Sequence, residues 1–287
     1  MSKAAEMLGE LAPAAPDAFC KKATIAAARV IADADNPLRL NLCCAAVRIL
    51  FEHVMGTLAP SDEVEKCAWY SPVSGQDAPV RAQRIQFWMQ GGLTDEFLER
   101  ELEIDPRPLR KRLLTAFNKL SKHVHGRQAT VVFDPTEIEI ETTKIAEAVK
   151  ELFYSYHDCR SALIEPLLEL LDEGGVDSLM AETIESIDEL ATHHSIEEIY
   201  TEDTEVEAIT ATAVRYRSSG SISVILQWGS SSDLRRGDGA ELGKSFPFSC
   251  SFEVPIVDPH DLSNADVFSG VDTSAWWDGY YDDVEHG

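Results

Sequence analysis

Apolar residues in the first 130 positions recur every three or four residues, whereas beyond residue 197 they recur at every second residue. The first period belongs to helices with one buried face and the second to half-buried strands. After an Ala/Pro-rich start over residues 1–34, Asp35, Asn36 and Pro37 mark a helix entry. Leu42, Ala46, Ile49, Leu50 and Val54 then repeat at helical spacing up to Gly56, which predicts that this stripe faces a core. Ser71 to Pro79 reads as a loop, Val80 to Gln90 as a second helix closed by Gly91 and Gly92, and Thr94 with Asp95 as the cap of a short third. A fourth helix is predicted from about Pro108 to His125, with Leu113, Phe117, Leu120 and Val124 as its core stripe. Residues 35–130 therefore predict a helical bundle.

A strand-like run from Thr130 to Phe133 leads to Pro135, and Glu137–His157 and Leu163–His193 then read as acidic helices, the second interrupted at Gly174 and Gly175. Residues 131–196 are thus an acidic helical spacer. Over residues 197–287, Val206, Ile209, Ala211, Ala213 and Tyr216 precede a turn-like Ser218-Ser219-Gly220-Ser221, and Ile222, Val224, Leu226 and Trp228 follow it. That predicts a hairpin, and Phe246, Phe248, Cys250, Phe252, Val254 and Ile256 supply a further strand. The fold class is α+β: an N-terminal all-α bundle, acidic helices, then a small antiparallel β domain. Its end, Ser274 to Gly287, is acidic and aromatic, either a covering segment or a disordered tail.

A chain of 287 residues with 44% hydrophobic content has room for two cored domains. It has no run of eighteen apolar residues and no basic-then-apolar N-terminal segment, so neither a membrane span nor a secretory signal is expected, and the chain is placed in the cytosol. Cys20, Cys43, Cys44, Cys67, Cys159 and Cys250 show no C-x-x-C pairing, so reduced thiols, no zinc site and no cofactor are expected. The net charge of −25 is unevenly placed: residues 1–134 carry 17 Lys/Arg and 17 Asp/Glu, residues 135–287 carry 8 and 33. An acidic half repels a phosphate backbone, so any nucleic acid falls to the first half. The acid itself is either a solvated face or a dock for a basic partner.

The first half collects arginines and histidines, the kit for cutting a phosphodiester without metal, in which histidine moves a proton and arginine holds phosphate charge. Arg48 and His53 lie five residues apart, about 140° around an ideal helix. Arg48 can equally pair with Glu52, and His53 can be a satisfied core histidine. Arg81, Arg84 and Trp88 share a helix face that can grip phosphate and stack a base, or pack by cation–π contact. Asn118, Ser121 and His125 form a polar seam beside the apolar stripe of the fourth helix, a site or a helix-end cap. In the β domain, Asp233, Arg235, Arg236 and Asp238 lie in a Gly/Ser-rich stretch that suits a turn as well as a ligand. Glu205 and Glu207 precede a strand without the lysine that a metal-dependent nuclease pattern wants, and phosphate-loop and serine-hydrolase motifs are absent from the sequence.

The segments Asn36–Asn41, Arg48, Leu58–Val64, Cys67–Tyr70, Arg81–Arg84, Gln90–Leu93 and Leu120–His125 resemble the predicted nucleases associated with prokaryotic PIWI modules, over roughly residues 36–127. The Arg48 to His53 spacing is also similar to the R-x4-6-H signature of HEPN domains, helical bundles that dimerise and cut RNA; here Ile49 stands where those domains carry a polar residue. The resemblance implies a defence protein acting on phage or plasmids, with RNA as substrate, a protein partner in the same system and a homo-oligomer. By it, Arg48, His53 and His125 are catalytic; beside them, Arg81 and Arg84 on their shared helix face and Ser121 in the polar seam are the candidates to hold phosphate. The rival reading is a non-catalytic adaptor that docks a nuclease, helicase or Argonaute-like subunit through its acidic surface. A metal-dependent nuclease in the β domain is a third.

Overall fold

A computed structural model describes residues 2–124, 131–181 and 185–277. The chain forms two compact units, Met1–Arg160 with Ile209–Thr212, and Ser161–Ala208 with Ala213–Gly287.

The first unit is helical. It contains α1 (Lys3–Leu11), α2 (Ala18–Ala32), α3 (Arg39–His53), α4 (Ser61–Val64), α5 (Arg81–Gln90), α6 (Asp95–Glu101), α7 (Arg107–Val124) and most of α8 (Pro135–Ile164). The Ala/Pro-rich start contains two helices: Leu8 and Leu11 of α1 and Ala27 and Ile31 of α2 are core residues, and Asp17 caps α2 by accepting from the Cys20 amide. The core gathers Leu40, Val47, Leu50, Phe51, Leu113 and Phe117, each of which contributes roughly 1.5–3 kcal/mol by leaving water.

α3 is rotated from its predicted orientation. Cys43, Cys44, Val47, Leu50 and Phe51 face the core, while Leu42 and Ile49 are 45% and 56% exposed. The two cysteines account for the turn, since a reduced buried Cys packs as a small apolar residue and widens the stripe on that side. Residues Arg39–Leu58 reach the length and hydropathy of a membrane span, with 44% of that window buried within the fold. At the end of α5 and the start of α6 the sequence signals hold: Gly91 takes φ 58°, and Thr94 Oγ1 accepts from the Phe97 amide. Gly91 and Gly92 also admit the segment Ile209–Thr212. A Cβ on Gly92 would meet the Ala211 carbonyl oxygen at 2.4 Å, and the Gly92 amide donates to Thr210.

The second unit contains the last turn of α8, α9 (Leu168–Ala181), α10 (Glu185–Asp188), and a four-stranded antiparallel sheet in the order β1 (His193–Ile209), β2 (Ala213–Trp228), β3 (Ala240–Pro255), β4 (Asp266–Val271). Two short helices, α11 (Ser231–Arg236) and α12 (Ser274–Trp277), follow β2 and β4. Leu179 and Ile187 pack on Ile222, Val224, Phe246 and Phe248, so helices cover one sheet face. The hairpin turn lies at Thr210–Thr212, not at Ser218–Ser221, through which β2 runs unbroken. Gly220 is there for clearance: a Cβ would stand 2.0 Å from the Tyr200 carbonyl oxygen on β1. α9 likewise runs through Gly174 and Gly175, because Gly174 lets the Phe252 ring approach to 3.2 Å of where a Cβ would be. The break falls instead at Pro166, within a 3-10 turn over Glu165–Leu167.

Candidate functional site

α3 packs against α7, and α5 against the same helix, which brings residues far apart in sequence onto one aromatic ring. The Arg48 guanidinium carbon lies 5.8 Å from the centroid of Phe117, and that of Arg81, the first residue of α5, lies 4.8 Å from it. Arg48 Nη1 donates to Ser121 Oγ at 3.4 Å, one turn beyond Phe117 on α7, and Nη2 pairs with Glu52 at 3.2 Å. Two cations thus share one ring, and Arg48 alone of the two has a carboxylate partner among the described residues. Among the described residues, Arg81 makes no hydrogen bond or ion pair, so its charge rests on the ring alone, an interaction of about 0.5–2 kcal/mol. Other arginines of this unit are neutralised: Arg107 by Asp105 and Glu99, Arg110 by Asp95 with both nitrogens, Arg112 by Glu151. At Asp95, burial works to raise the carboxyl, and the bonds from Arg110 and Gln90 overcome it and hold the carboxyl below the ordinary aspartate range.

Arg84 stands one turn after Arg81 and has a different task. Its donors reach the carbonyl oxygens of Met55 at 2.7 Å, Ala59 at 3.0 Å and Pro79 at 3.3 Å, and Ser61 Oγ at 2.5 Å. It ties the turn Val54–Leu58 and the start of α4 to α5, and its guanidinium is committed to backbone rather than offered to phosphate. Trp88 is buried, stacked on Tyr156 at 4.5 Å with its ring N–H on the Leu152 carbonyl, so it is core and not a platform for a base.

His53 turns away from Arg48. Its Nε2 meets Asp17 Oδ2 at 2.7 Å and its ring lies 4.3 Å from that of Phe19. The Cys20 thiol completes a trio with donor atoms within 4.8 Å of one another. Burial pushes the Cys20 thiol up to about 12, with the neighbouring Asp17 carboxylate adding to the rise. Burial would also raise Asp17, but hydrogen bonds from the Cys20 amide and His53 outweigh it and lower the carboxyl. Arg48, Arg81 and Ser121 are therefore brought together, and His53 and Arg84 are held elsewhere. His125 lies outside the described residues. Asp17, Cys20 and Phe117 were absent from the sequence-based site: an Asp at a helix start with Cys three residues on was a readable signal for the first two, whereas Phe117 read as core, which it also is.

A cleft of about 380 Å³ opens between α7 and α8, on another face of α7. Its floor is apolar, with Val47, Leu120 and Ala148, and its rim alternates Lys111 and Lys119 with Glu147. In the second unit, Asp233 caps α11 by exchanging bonds with Ser230 and pairs with Arg236, which is the turn role weighed for that stretch. Glu207 and Glu253 both face Arg215 on the intervening strand, at 3.9 and 2.8 Å.

Comparison with protein families matches residues 11–150 to one family model and residues 156–277 to a second, each described as a predicted pPIWI-associating nuclease. The match thus reaches well beyond residues 36–127 and takes in the sheet. No curated protein and no solved structure matches the chain.

Proposed function

We propose, for a chain that belongs to the predicted pPIWI-associating nucleases, that the Arg48–Arg81 face of the helical unit grips the backbone of single-stranded RNA and cuts it without metal. The observation that carries this reading is the pair of guanidinium groups on the Phe117 ring with Glu52 as their one ion-pair partner among the described residues. A phosphate entering there supplies the missing negative charge and accepts from both arginines. Ser121 Oγ, already within reach of Arg48, holds one edge of the site. His125, four residues after Ser121 in the sequence, moves the proton of the 2′-hydroxyl, while Arg48 and Arg81 stabilise charge on the phosphate in the transition state. His53, engaged with Asp17, belongs to the scaffold in this reading. The role served is prokaryotic defence beside a PIWI-like partner.

The test is binding and cleavage of labelled single-stranded RNA with chelator present. Arg81→Ala is expected to weaken binding and to flatten the salt dependence by roughly 0.7 in log K per log salt for each phosphate that is no longer neutralised. His125→Ala should abolish cutting while leaving binding in place. Wild-type affinity in an Arg48→Ala/Arg81→Ala double variant would sink the proposal.

A second reading has its own support. Leu38, Leu42 and Ile49 form an exposed apolar stripe along the outer face of α3, and the second unit carries 5 Lys/Arg against 27 Asp/Glu. An adaptor that self-associates through α3 and docks a basic partner with its acidic unit uses both features. Intact RNA after incubation, together with a concentration-dependent dimer that Ile49→Glu disperses, would select it.

A further inference from the structure

The trio at the start of α2 is more than a helix cap. Asp17 precedes α2, Cys20 is the third residue of that helix, and His53 is the last residue of α3, so three side chains from two helix ends converge on one point. Among the described residues, this is where three His, Cys, Asp or Glu donor atoms come within 4.8 Å of one another. The carboxylate divides its work: Oδ1 accepts from the Cys20 amide at 2.7 Å, while Oδ2 faces His53. Capping therefore survives if Oδ2 takes another partner.

We propose that Asp17, Cys20 and His53 bind a divalent transition metal, zinc by the chemistry of the donors, as a site separate from the arginine face. One sulfur, one imidazole nitrogen and one carboxylate oxygen are a donor set that zinc accepts and that magnesium or calcium does not. Bond lengths of about 2.0–2.3 Å would place tetrahedral ligands a little over 3 Å apart. The 2.7 Å His53–Asp17 separation must open slightly, and the widest pair, which is no more than 4.8 Å apart, must close by at most about an ångström. Rotation about the Cys20 and His53 side-chain bonds supplies that movement.

The charges favour the ion as well. A helix N-terminus opposes a cation with roughly half a unit of positive charge. Carboxylate and thiolate together bring two negative charges, which neutralise the ion and outweigh the dipole. On binding, the Cys20 S–H bond breaks, a sulfur–metal bond forms and the proton leaves to solvent; the Nε2 proton of neutral His53 moves to Nδ1, freeing Nε2 as a ligand. Cys20 is wholly buried and Phe19 shields one side of the His53 ring, while Asp17 is partly exposed. The fourth position is open to a water molecule on the Asp17 side. A bound ion would cross-link the first turn of α2 to the last turn of α3.

The experiment is cobalt(II) titration of the full chain after extraction with chelator. One equivalent is expected to produce intense visible bands of a tetrahedral site and a near-ultraviolet thiolate-to-cobalt charge-transfer band, both displaced by zinc. Cys20→Ser should remove the charge-transfer band, Cys159→Ser should keep it, and His53→Gln should lower affinity about tenfold or more. Helical circular dichroism establishes folding for each variant. The proposal is overturned if folded wild type develops no charge-transfer band, or if the band persists in Cys20→Ser. Unchanged affinity in His53→Gln overturns it too, and decides the matter should Cys20→Ser not fold. RNA binding by the arginine face is read in a separate assay, so either proposal can fail alone.

Discussion

Arg81 and Arg84 sit one helical turn apart on α5, carry the same charge, and differ in everything that surrounds the guanidinium. Arg84 satisfies three backbone carbonyls and a serine hydroxyl, and removing it leaves partly buried acceptors without donors. Hydrogen bonds to a charged group contribute about 1.5–3 kcal/mol each before coupling, so Arg84→Met is expected to destabilise the chain by about 2–4 kcal/mol. Arg81 leans on Phe117 with an exposed head, and Arg81→Ala should cost about 1 kcal/mol or less. Urea denaturation of the two variants measures this difference, and equal losses would mean that the head group of Arg81 is structural after all. Such a contrast is invisible in the string Arg81-Ala82-Gln83-Arg84, because each partner comes from another segment: Met55 and Ala59 for one, Phe117 for the other.

Elements show the same division between what local sequence decides and what packing decides. Gly220 and Gly243 both lie within strands, where glycine ordinarily weakens the ladder. A Cβ on Gly220 would collide with the Tyr200 backbone, whereas Gly243 has open space. Gly220→Ala is therefore expected to lower the melting temperature by several degrees, and Gly243→Ala to leave it level or raise it slightly. Equal behaviour of the two variants would mean that the Tyr200 backbone does not restrict the side chain at position 220. Features set by local chemistry and period were legible beforehand: the Thr94 cap, the Gly91 stop and the α7 stripe of Leu113, Phe117 and Leu120. Features set by a distant neighbour were not. Gly174 and Gly220 read as breaks although each serves a close approach by another element, and α3 read as buried along Leu42 and Ile49 because Cys43 and Cys44 were not weighed as core. For the same reason Arg48, Arg81 and Ser121 could be named from the sequence, but not their convergence on the Phe117 ring, since they come from three helices.

Across the whole molecule, charge divides as the units do. The helical unit carries 20 Lys/Arg and 23 Asp/Glu, and the second unit 5 and 27. Like charges crowded on one unit repel in the folded state and relax on unfolding, and ions screen that repulsion over about 10 Å at 0.1 M salt. The melting midpoint of the second unit should therefore rise with ionic strength, while that of the helical unit, close to neutral, stays nearly level. Each unit has a reporter for this comparison: Trp88 stacks on Tyr156 in the helical unit, and Trp228, stacked near Trp276, donates to the Leu190 carbonyl in the second. Thermal melts followed by fluorescence, with the tryptophans of one unit at a time replaced by phenylalanine, separate the two transitions. Screening and specific cation binding are then told apart by the ion. Potassium and magnesium chlorides at equal ionic strength should give nearly the same midpoint if diffuse repulsion is the cause. A shift that magnesium alone produces would instead place a discrete cation site among the carboxylates of the second unit.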